Sequence, residues 1–261
     1  MDGGTEGLVL SPERDDGNGY DGDRYAEVYD AWYADRPETT AAVAFLRGLC
    51  PAGRALELGV GTGRLAVPLA TDGPAVTGVD TSPQMLRRLA SKAGDAPVTG
   101  VLGDMAALAL PGPFDLVYVA FSSLFLLTSQ EAQVRCFARV ASLLGPDGLF
   151  VVEAFVPDAT RYQRNQNISV EDLSAPSVRF ELAQHDPANQ TITAVRVVLD
   201  ASGTQLFPYR VRYATPAELD LMAQLAGLEL RERFGGFDRR PFSGDSAVHV
   251  SIYSPVRVGA G

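Results

Sequence analysis

A run of glycines beside an acidic residue is the part of this sequence best suited to binding a ligand. Residues 55–58 are apolar except for Glu57, and they lead into a turn that carries Gly59, Gly61 and Gly63. Glycine is needed where the backbone takes a positive φ or approaches a ligand closely. A helix that follows such a turn presents free N–H groups to a carboxylate. The segment therefore predicts a ligand site at the end of a strand.

Two further acids recur at the same interval. Asp80 follows Glu57 by 23 residues, and Asp104 follows Asp80 by 24, which is one strand and one helix in each case. Parallel strands end at the same edge of a sheet, so we expect the three carboxylates to lie together. Asp80 suits the two hydroxyls of a ribose, and Asp104 suits an adenine amino group. Glu57 suits an ammonium group, held directly or through water.

A second ligand class fits part of this pattern. Gly61 and Gly63, with Ala66 three residues later, also match the fingerprint of proteins that bind nicotinamide dinucleotides. A ligand with two phosphates would gain little from Glu57. The three acids therefore favour a ligand that carries a ribose, an adenine and the ammonium group of an amino acid. An NAD(P)-dependent oxidoreductase remains the alternative at this point.

Short apolar runs alternate with helical patterns after residue 54. Strands are predicted over 55–58, 75–79, 98–102, 114–120 and 149–155, with helices over 62–71, 82–93 and 129–144. This alternation is typical of an α/β fold with a parallel sheet and helices on both faces. We therefore predict a doubly wound, Rossmann-like, seven-stranded and mostly parallel sheet.

The segment 157–213 breaks the alternation. It offers strands at 178–183, 191–199 and 204–213, separated by turn signals at 185–189 and 200–203. We expect an antiparallel insertion after the fifth strand, covering the ligand edge. Thr215 to Glu218 forms a capping box that begins a helix ending near residue 226, and strands at 229–234 and 247–253 complete the sheet.

The N-terminal region divides into two parts. Residues 1–19 are rich in Gly and Asp and are predicted to be a disordered acidic tail, whereas residues 20–261 form one domain. Residues 20–50 read as two helices that form a lid. Tyr25, Tyr29 and Tyr33 recur every four residues and so share one helical face, on which we expect Tyr29 to pack against the sheet.

Composition narrows the class of partner. The chain carries 22 Lys and Arg against 32 Asp and Glu, a net charge of −10, which argues against nucleic acid as a partner. No apolar run is long enough to cross a membrane, and the two cysteines form no CxxC pattern. We expect a cytoplasmic protein with a small-molecule substrate and no metal, and we leave a homo-oligomer open.

At this point the sequence resembles a known family. Glu57-x-Gly59-x-Gly61-x-Gly63, Asp80 and Gly103-Asp104-Met105 are similar to the cofactor motifs of class I S-adenosylmethionine-dependent methyltransferases. Gly145-Pro146-Asp147-Gly148, before a strand ending at Glu153, resembles the family's turn into its fifth strand. The resemblance covers roughly residues 20–255 and implies S-adenosylmethionine as the cofactor. The cofactor-binding residues are then Tyr33, Glu57, Gly59, Gly61, Gly63, Asp80, Thr81, Asp104, Met105 and Phe121.

Within the family, the segments 25–33 and 121–124 resemble small-molecule enzymes that N-methylate amino sugars in antibiotic pathways. That likeness implies that Tyr33 reaches the cofactor carboxylate, and that Tyr25 and Phe121 flank the methyl group and its acceptor. Tyr209 and Tyr213, on an alternating strand, are further acceptor-binding candidates.

A catalytic base is not evident, and the candidates for a catalytic role are Tyr25, Tyr33 and His185. His185 precedes Asp186-Pro187 in a turn signal, so we expect it to be exposed, and we expect His249 on the last strand to be structural. A hydroxyl acceptor would need a base, whereas an amine needs only to arrive deprotonated. The sequence thus favours methyl transfer to an amine of a natural-product intermediate by in-line displacement. The alternatives are O-methylation and a pericyclase-like protein that binds the cofactor without using its methyl group.

Overall fold

The computed structural model describes residues 19–33, 36–174 and 176–257. Apart from Gly19, the acidic tail predicted over residues 1–19 lies outside the described residues. Within the described residues, no helix is long and apolar enough to span a membrane.

A seven-stranded sheet forms the centre of the fold. Its strands are β1 Arg54–Leu58, β2 Ala75–Asp80, β3 Val98–Leu102, β4 Phe114–Val119, β5 Leu144–Phe155, β10 Leu228–Phe234 and β11 Val248–Pro255. They lie in the order β10-β11-β5-β4-β1-β2-β3. β1 to β5 are parallel, and β11 runs antiparallel to both of its neighbours. The predicted mostly parallel, doubly wound sheet is confirmed.

The position of β1 in this order sets the place of the ligand site. β1 pairs with β2 on one side and with β4 on the other, so the strand order reverses there. Ligands of open α/β sheets bind at the carboxyl ends of the strands at such a switch point. Leu56 and Leu58 are fully buried, as expected for a parallel strand covered on both faces.

Six helices flank the sheet within the described residues. They are α1 Gly22–Tyr33, α2 Glu38–Leu49, α3 Ala66–Ala70, α4 Pro83–Ala93, α5 Gln130–Leu143 and α6 Pro216–Leu225. Ser82, Ser129 and Thr215 each accept a backbone hydrogen bond at a helix start. The cap at Thr215 confirms the predicted start of α6. The helix predicted over 62–71 begins later because Gly61 and Gly63 have positive φ.

Helix α1 is fixed to the elements around the glycine turn by two aspartates. Asp30 accepts hydrogen bonds from the Thr62 hydroxyl at 2.6 Å and from Lys92 Nζ at 2.7 Å. Asp23 accepts one from the Ser82 hydroxyl at 2.6 Å. The first predicted helix therefore lies beside the glycine turn and α4.

A second, antiparallel sheet fills most of the predicted insertion. Its strands, in order, are β6 Gln166–Asp172, β7 Val178–Asp186, β8 Thr191–Asp200 and β9 Gly203–Arg212. Ala183, Ala194 and Val211 are buried in the same core cluster as the central sheet. Phe207 instead packs with Tyr25 of α1. The antiparallel insertion is confirmed, and it contains one strand, β6, that the sequence analysis missed.

The prediction that His185 is an exposed turn residue is wrong. β7 continues to Asp186, and the turn occupies residues 187–190. His185 is 5% exposed, and its Nε2 lies 2.7 Å from the Tyr213 hydroxyl. The turn signal was real but was placed two residues too early, since Asp186 Oδ1 accepts the N–H groups of Ala188 and Asn189.

Candidate functional site

A cavity of about 1020 Å³ lies at the carboxyl edge of the central sheet. It is bounded by the glycine turn, α1 and the antiparallel sheet. The predicted site residues that line it are Tyr25, Tyr33, Gly59, Gly61, Asp80, Thr81, Asp104, Met105, Phe121 and Tyr209. Glu57, Gly63, His185 and Tyr213 are not among its lining residues. Tyr29, which was expected to pack against the sheet, lines the cavity as well.

The glycine turn is held directly against the end of β2. The N–H groups of Gly59 and Val60 both donate to the carbonyl oxygen of Val79, at 2.8 and 2.9 Å. The Gly61 N–H donates to Asp80 Oδ2 at 2.8 Å. Gly59 and Gly61 have φ of +71° and +54°, a region in which residues with side chains are strained. The turn thus presents bare backbone to the cavity.

Asp80 is oriented by backbone groups. The N–H of Ser82 donates to its Oδ1 at 2.9 Å, opposite the bond from Gly61. Burial raises the pKa of Asp80, and the N–H groups of Ser82 and Gly61 oppose that shift. The carboxylate still has lone pairs that can accept from a ribose diol, and that contact stays a prediction.

Asp104 lies one strand further along the same edge. Its Oδ1 accepts the N–H of Ala106 at 2.8 Å, whereas Oδ2 accepts no hydrogen bond from the described residues. Together with Asp80, it places two carboxylates at the ends of neighbouring strands around one cavity. That arrangement fits an adenosine whose ribose and base each meet one acid.

Glu57 lies beneath the turn, outside the cavity lining. It is 4% exposed, and the Tyr118 hydroxyl donates to its Oε2 at 2.9 Å. Burial raises the pKa of Glu57 to about 8, against the opposing effects of Tyr118 and Arg64. Glu57 therefore supports the glycine turn from below. The turn lies between its carboxyl group and the cavity, so Glu57 does not contact a ligand in the cavity directly.

Tyr33 carries the clearest sign of a missing partner. Its hydroxyl is buried and has no hydrogen-bond partner among the described residues. Burial raises the pKa of Tyr33, so the hydroxyl keeps its proton at neutral pH. A buried hydroxyl without a partner is unfavourable, and a bound carboxylate would satisfy it. This orphaned donor fits the predicted contact with the cofactor carboxylate.

The opposite wall of the cavity is charged, and sequence reasoning found only one of its members. The Tyr209 hydroxyl donates to Glu181 Oε2 at 2.5 Å. Arg196 pairs with Glu181 at 3.3 Å and with Glu171 at 2.7 Å. All four residues line the cavity. Each of the four lies on a different strand of the antiparallel sheet. They are far apart in the sequence and come together only through the pairing of the strands.

The remaining candidates lie elsewhere. Tyr213 is buried against His185, and its hydroxyl is occupied by the bond to that ring. His249 is fully buried on β11, as expected for a structural residue, and its Nδ1 lies 2.9 Å from the Ser251 hydroxyl. Burial lowers the pKa of His249 to about 4. Neither histidine of this chain lines the cavity formed by the described residues.

The parallel sheet, with a cavity and two acids at its β1 switch point, is typical of nucleotide-binding α/β enzymes, and comparison with known proteins identifies the class. Residues 55–148 match the family described as a methyltransferase domain. The cypemycin N-terminal methyltransferase of Streptomyces sp is 30% identical over 200 residues, which are 73% of this chain and 78% of that protein.

Solved structures extend the likeness over nearly the whole chain. The CcbJ methyltransferase of Streptomyces caelestis is 43% identical with a TM-score of 0.85, covering 90% of this chain and 98% of that one. CalS10, an amino pentose methyltransferase from Micromonospora echinaspora with bound S-adenosylmethionine, shares the fold at 22% identity with a TM-score of 0.67. The match covers 86% of this chain and 96% of CalS10.

The chain belongs to the class I S-adenosylmethionine-dependent methyltransferases. Its cofactor is S-adenosylmethionine. This assignment replaces the nicotinamide-dependent oxidoreductase that the glycine pattern alone had left open.

Proposed function

We propose that this methyltransferase transfers a methyl group to an amine nitrogen of a small natural-product intermediate. The observation that carries the proposal is the Glu181 carboxylate in the cavity wall, since the neighbouring Glu171 is already paired with Arg179 and Arg196. Carboxylates attract an ammonium ion, and burial strengthens that attraction. Glu181 Oε2 is occupied by Tyr209 and Arg196, whereas its Oε1 accepts no hydrogen bond from the described residues.

The chemistry asks little of the protein beyond positioning. The bound cofactor supplies a methyl group on a sulfonium that is already activated for in-line displacement. Holding the acceptor nitrogen in line with that methyl group supplies much of the rate. Since neither histidine lines the cavity, the site offers no imidazole base for a hydroxyl acceptor. This observation favours nitrogen over oxygen.

We infer roles for individual lining residues of the cavity. Asp80 and Asp104 hold the ribose and the adenine, and the Tyr33 hydroxyl binds the cofactor carboxylate. Tyr25 and Phe121 border the methyl group and the acceptor. Helix α1 and the antiparallel sheet act as a lid, which excludes water while the cofactor and acceptor are bound.

Names of similar proteins agree with an amine acceptor. One is described as an N-terminal methyltransferase and another as an amino pentose methyltransferase. In this chain, an acceptor of that kind would place its ammonium at Glu181, and the Oε1 atom of Glu181 would take the proton that the nitrogen loses before it attacks the methyl group.

The test uses pairs of acceptors that differ in one atom. Labelled S-adenosylmethionine is incubated with the protein and with an amino sugar, or with the same sugar carrying a hydroxyl in place of the amine. We expect label in the amino sugar alone. Label in the hydroxyl sugar alone would establish an O-methyltransferase, and cofactor binding without transfer to any amine tested would contradict the proposal.

A charge variant tests the acceptor wall. Glu181→Gln should raise the acceptor KM about tenfold and leave the affinity for S-adenosylhomocysteine unchanged. Glu229→Gln is the matched control, since Glu229 forms an exposed pair with Arg231 and does not line the cavity. Equal KM values for the two variants would remove Glu181 from the acceptor site.

A further inference from the structure

The turn that follows β4 holds two bulky or polar residues in a conformation that glycine normally takes. Phe121 and Ser122 have φ of +55° and +59°. In this left-handed region the Cβ atom collides with the backbone, so a phenylalanine there is unusual. Such conformations persist where the surrounding structure fixes them, and they cluster at functional sites. The turn therefore needs a structural cause.

Glu153 at the end of β5 supplies that cause. The Phe121 N–H donates to Glu153 Oε2, and the Ser122 N–H donates to the carbonyl oxygen of Glu153 at 3.2 Å. The Ser122 hydroxyl in turn accepts the N–H of Phe155 at 3.0 Å. Side chain and main chain of one residue thus hold both left-handed residues. β4 and β5 are parallel neighbours, which brings Glu153 beside the turn.

The Phe121 ring is enclosed on several sides. The guanidinium of Arg36 lies 4.8 Å from the ring centre, and that of Arg64 lies 5.3 Å from it. The Tyr33 ring meets its edge at 5.2 Å. Cations above an aromatic face and an edge-on aromatic neighbour are both favourable contacts. These contacts depend on the position of the ring, which is set by the left-handed backbone conformation of Phe121.

Phe121 also stands between two spaces. A second cavity of about 400 Å³ lies between α2 and residues 236–248. Phe121, Glu153 and Arg36 line both this cavity and the larger one. The aromatic ring is therefore part of the wall that separates the larger cavity from its neighbour.

We propose that Glu153 is a positioning residue of this methyltransferase: it fixes the left-handed turn at Phe121 and Ser122 and thereby holds the Phe121 ring as the wall of the cofactor cavity. Glu153 acts through the reach of its carboxylate to the Phe121 N–H. The inference rests on the proposed place of Phe121 beside the cofactor, and it is independent of the atom that receives the methyl group.

Two conservative variants separate reach from charge. Glu153→Gln keeps an oxygen at the same distance, so it should bind S-adenosylhomocysteine within about threefold of the parent protein. Glu153→Asp keeps the charge but is one methylene shorter. It should bind about tenfold more weakly, as expected for loss of a charge-assisted hydrogen bond. Titration calorimetry with S-adenosylhomocysteine measures both without an acceptor.

A double-mutant cycle tests whether the effect passes through Phe121. Phe121→Ala should weaken S-adenosylhomocysteine binding about tenfold, and adding Glu153→Asp should weaken it no further, because contacting residues are not additive. Glu218→Gln is the structural control: Glu218 pairs with Arg212 away from both cavities, so this variant should lose stability and keep its affinity.

Three results would overturn the proposal. The first is unchanged affinity in both Glu153→Asp and Phe121→Ala. The second is a loss in Glu153→Gln as large as that in Glu153→Asp, which would assign the effect to charge. The third is independent, multiplying losses in the double variant. A failed proposed function looks different: the expected pattern of S-adenosylhomocysteine affinities among these variants would still be measured, while no amine would be methylated.

Discussion

The hydroxyl of Tyr118 on β4 donates a 2.9 Å hydrogen bond to Glu57 on the adjacent strand β1, and both side chains are buried under the glycine turn. A phenol that donates to a carboxylate normally favours its ionised form. Here burial outweighs that effect and raises the pKa of Glu57 to about 8. The folded protein thus carries a neutral carboxyl group beneath the turn at neutral pH.

This relationship predicts how stability depends on pH. Between about pH 4.5 and pH 8, Glu57 is protonated in the folded chain and ionised in the unfolded chain. Unfolding therefore releases a proton, so the stability falls as the pH rises above 4.5 and levels off above 8. Glu57→Gln should match the parent near pH 5 and exceed its stability by on the order of 3–5 kcal/mol at pH 9. Denaturant unfolding across this range measures the difference.

The control for that experiment has the opposite sign. Glu218 is partly buried, but hydrogen bonds from Arg212 and two glutamines hold its pKa below the ordinary value. Glu218→Gln should be less stable than the parent at neutral pH, with the deficit shrinking in acid. Parallel stability curves for Glu57→Gln and the parent protein would show that Glu57 is ionised in the folded state.

Gly61 and Gly94 form a matched pair for testing the turn. Both have φ of +54°, but Gly61 lines the cavity, whereas Gly94 ends α4 beside open space, with no described atom within 4 Å of where a Cβ would stand. Each substitution by valine should cost about 1–2 kcal/mol of stability from backbone strain. Only Gly61→Val should abolish cofactor binding, because its side chain projects where the ligand meets the backbone. Calorimetry measures cofactor binding and thermal unfolding measures stability for both variants. An equal loss of cofactor binding in Gly61→Val and Gly94→Val would show that the effect is structural and not local to the cavity.

Tyr33→Phe should separate function from stability. Removing a buried hydroxyl that has no partner among the described residues should leave the melting temperature unchanged or slightly higher. Affinity for S-adenosylhomocysteine should fall about tenfold, since the carboxylate loses its donor. Tyr253→Phe serves as the contrast: its hydroxyl donates to Asp220 at 2.9 Å, so that variant should lose stability and keep its affinity. The opposite pattern would remove Tyr33 from the cofactor site.

His185→Ala tests the corrected place of that residue. The change leaves a hole beside Tyr162 and removes the partner of the Tyr213 hydroxyl, so stability should fall by about 1–3 kcal/mol. The turnover of the folded protein should change by less than about tenfold, because His185 does not line the cavity. A loss of several orders of magnitude with the cofactor still bound would identify His185 as a catalytic group.

The parallel core was predictable because its signals are local. The strand predicted at 98–102 matches β3 residue for residue, since this five-residue segment is short for a helix and contains three β-branched residues. The three acids also lay at one edge, because parallel topology leaves no other place for them. Of these acids, Asp80 and Asp104 line the cavity and Glu57 does not. The spacing along the sequence predicts the sheet edge at which an acid lies, but it does not predict how deeply the side chain is buried.

Other features depend on contacts between distant segments. β6 was missed because it has only two apolar residues, Ile168 and Val170, which are too few for a clear pattern and are exposed on an edge strand. Glu153 reads as an ordinary strand-end acid until β4 is placed beside it. The cluster of Glu171, Glu181 and Arg196 likewise exists only through strand pairing.

The surroundings of Trp32 have a practical consequence. It is the only tryptophan in the chain, and it lies at the junction of α1 and the antiparallel sheet. Its ring is 4.9 Å from Phe207 and 6.1 Å from Tyr33, with the Arg179 guanidinium 4.7 Å over its face. The protein therefore contains a single tryptophan, at the junction of α1 and the antiparallel sheet. Light absorbed at the red edge of the aromatic band excites this residue alone, so a change at this junction on cofactor binding can be measured in real time without any label.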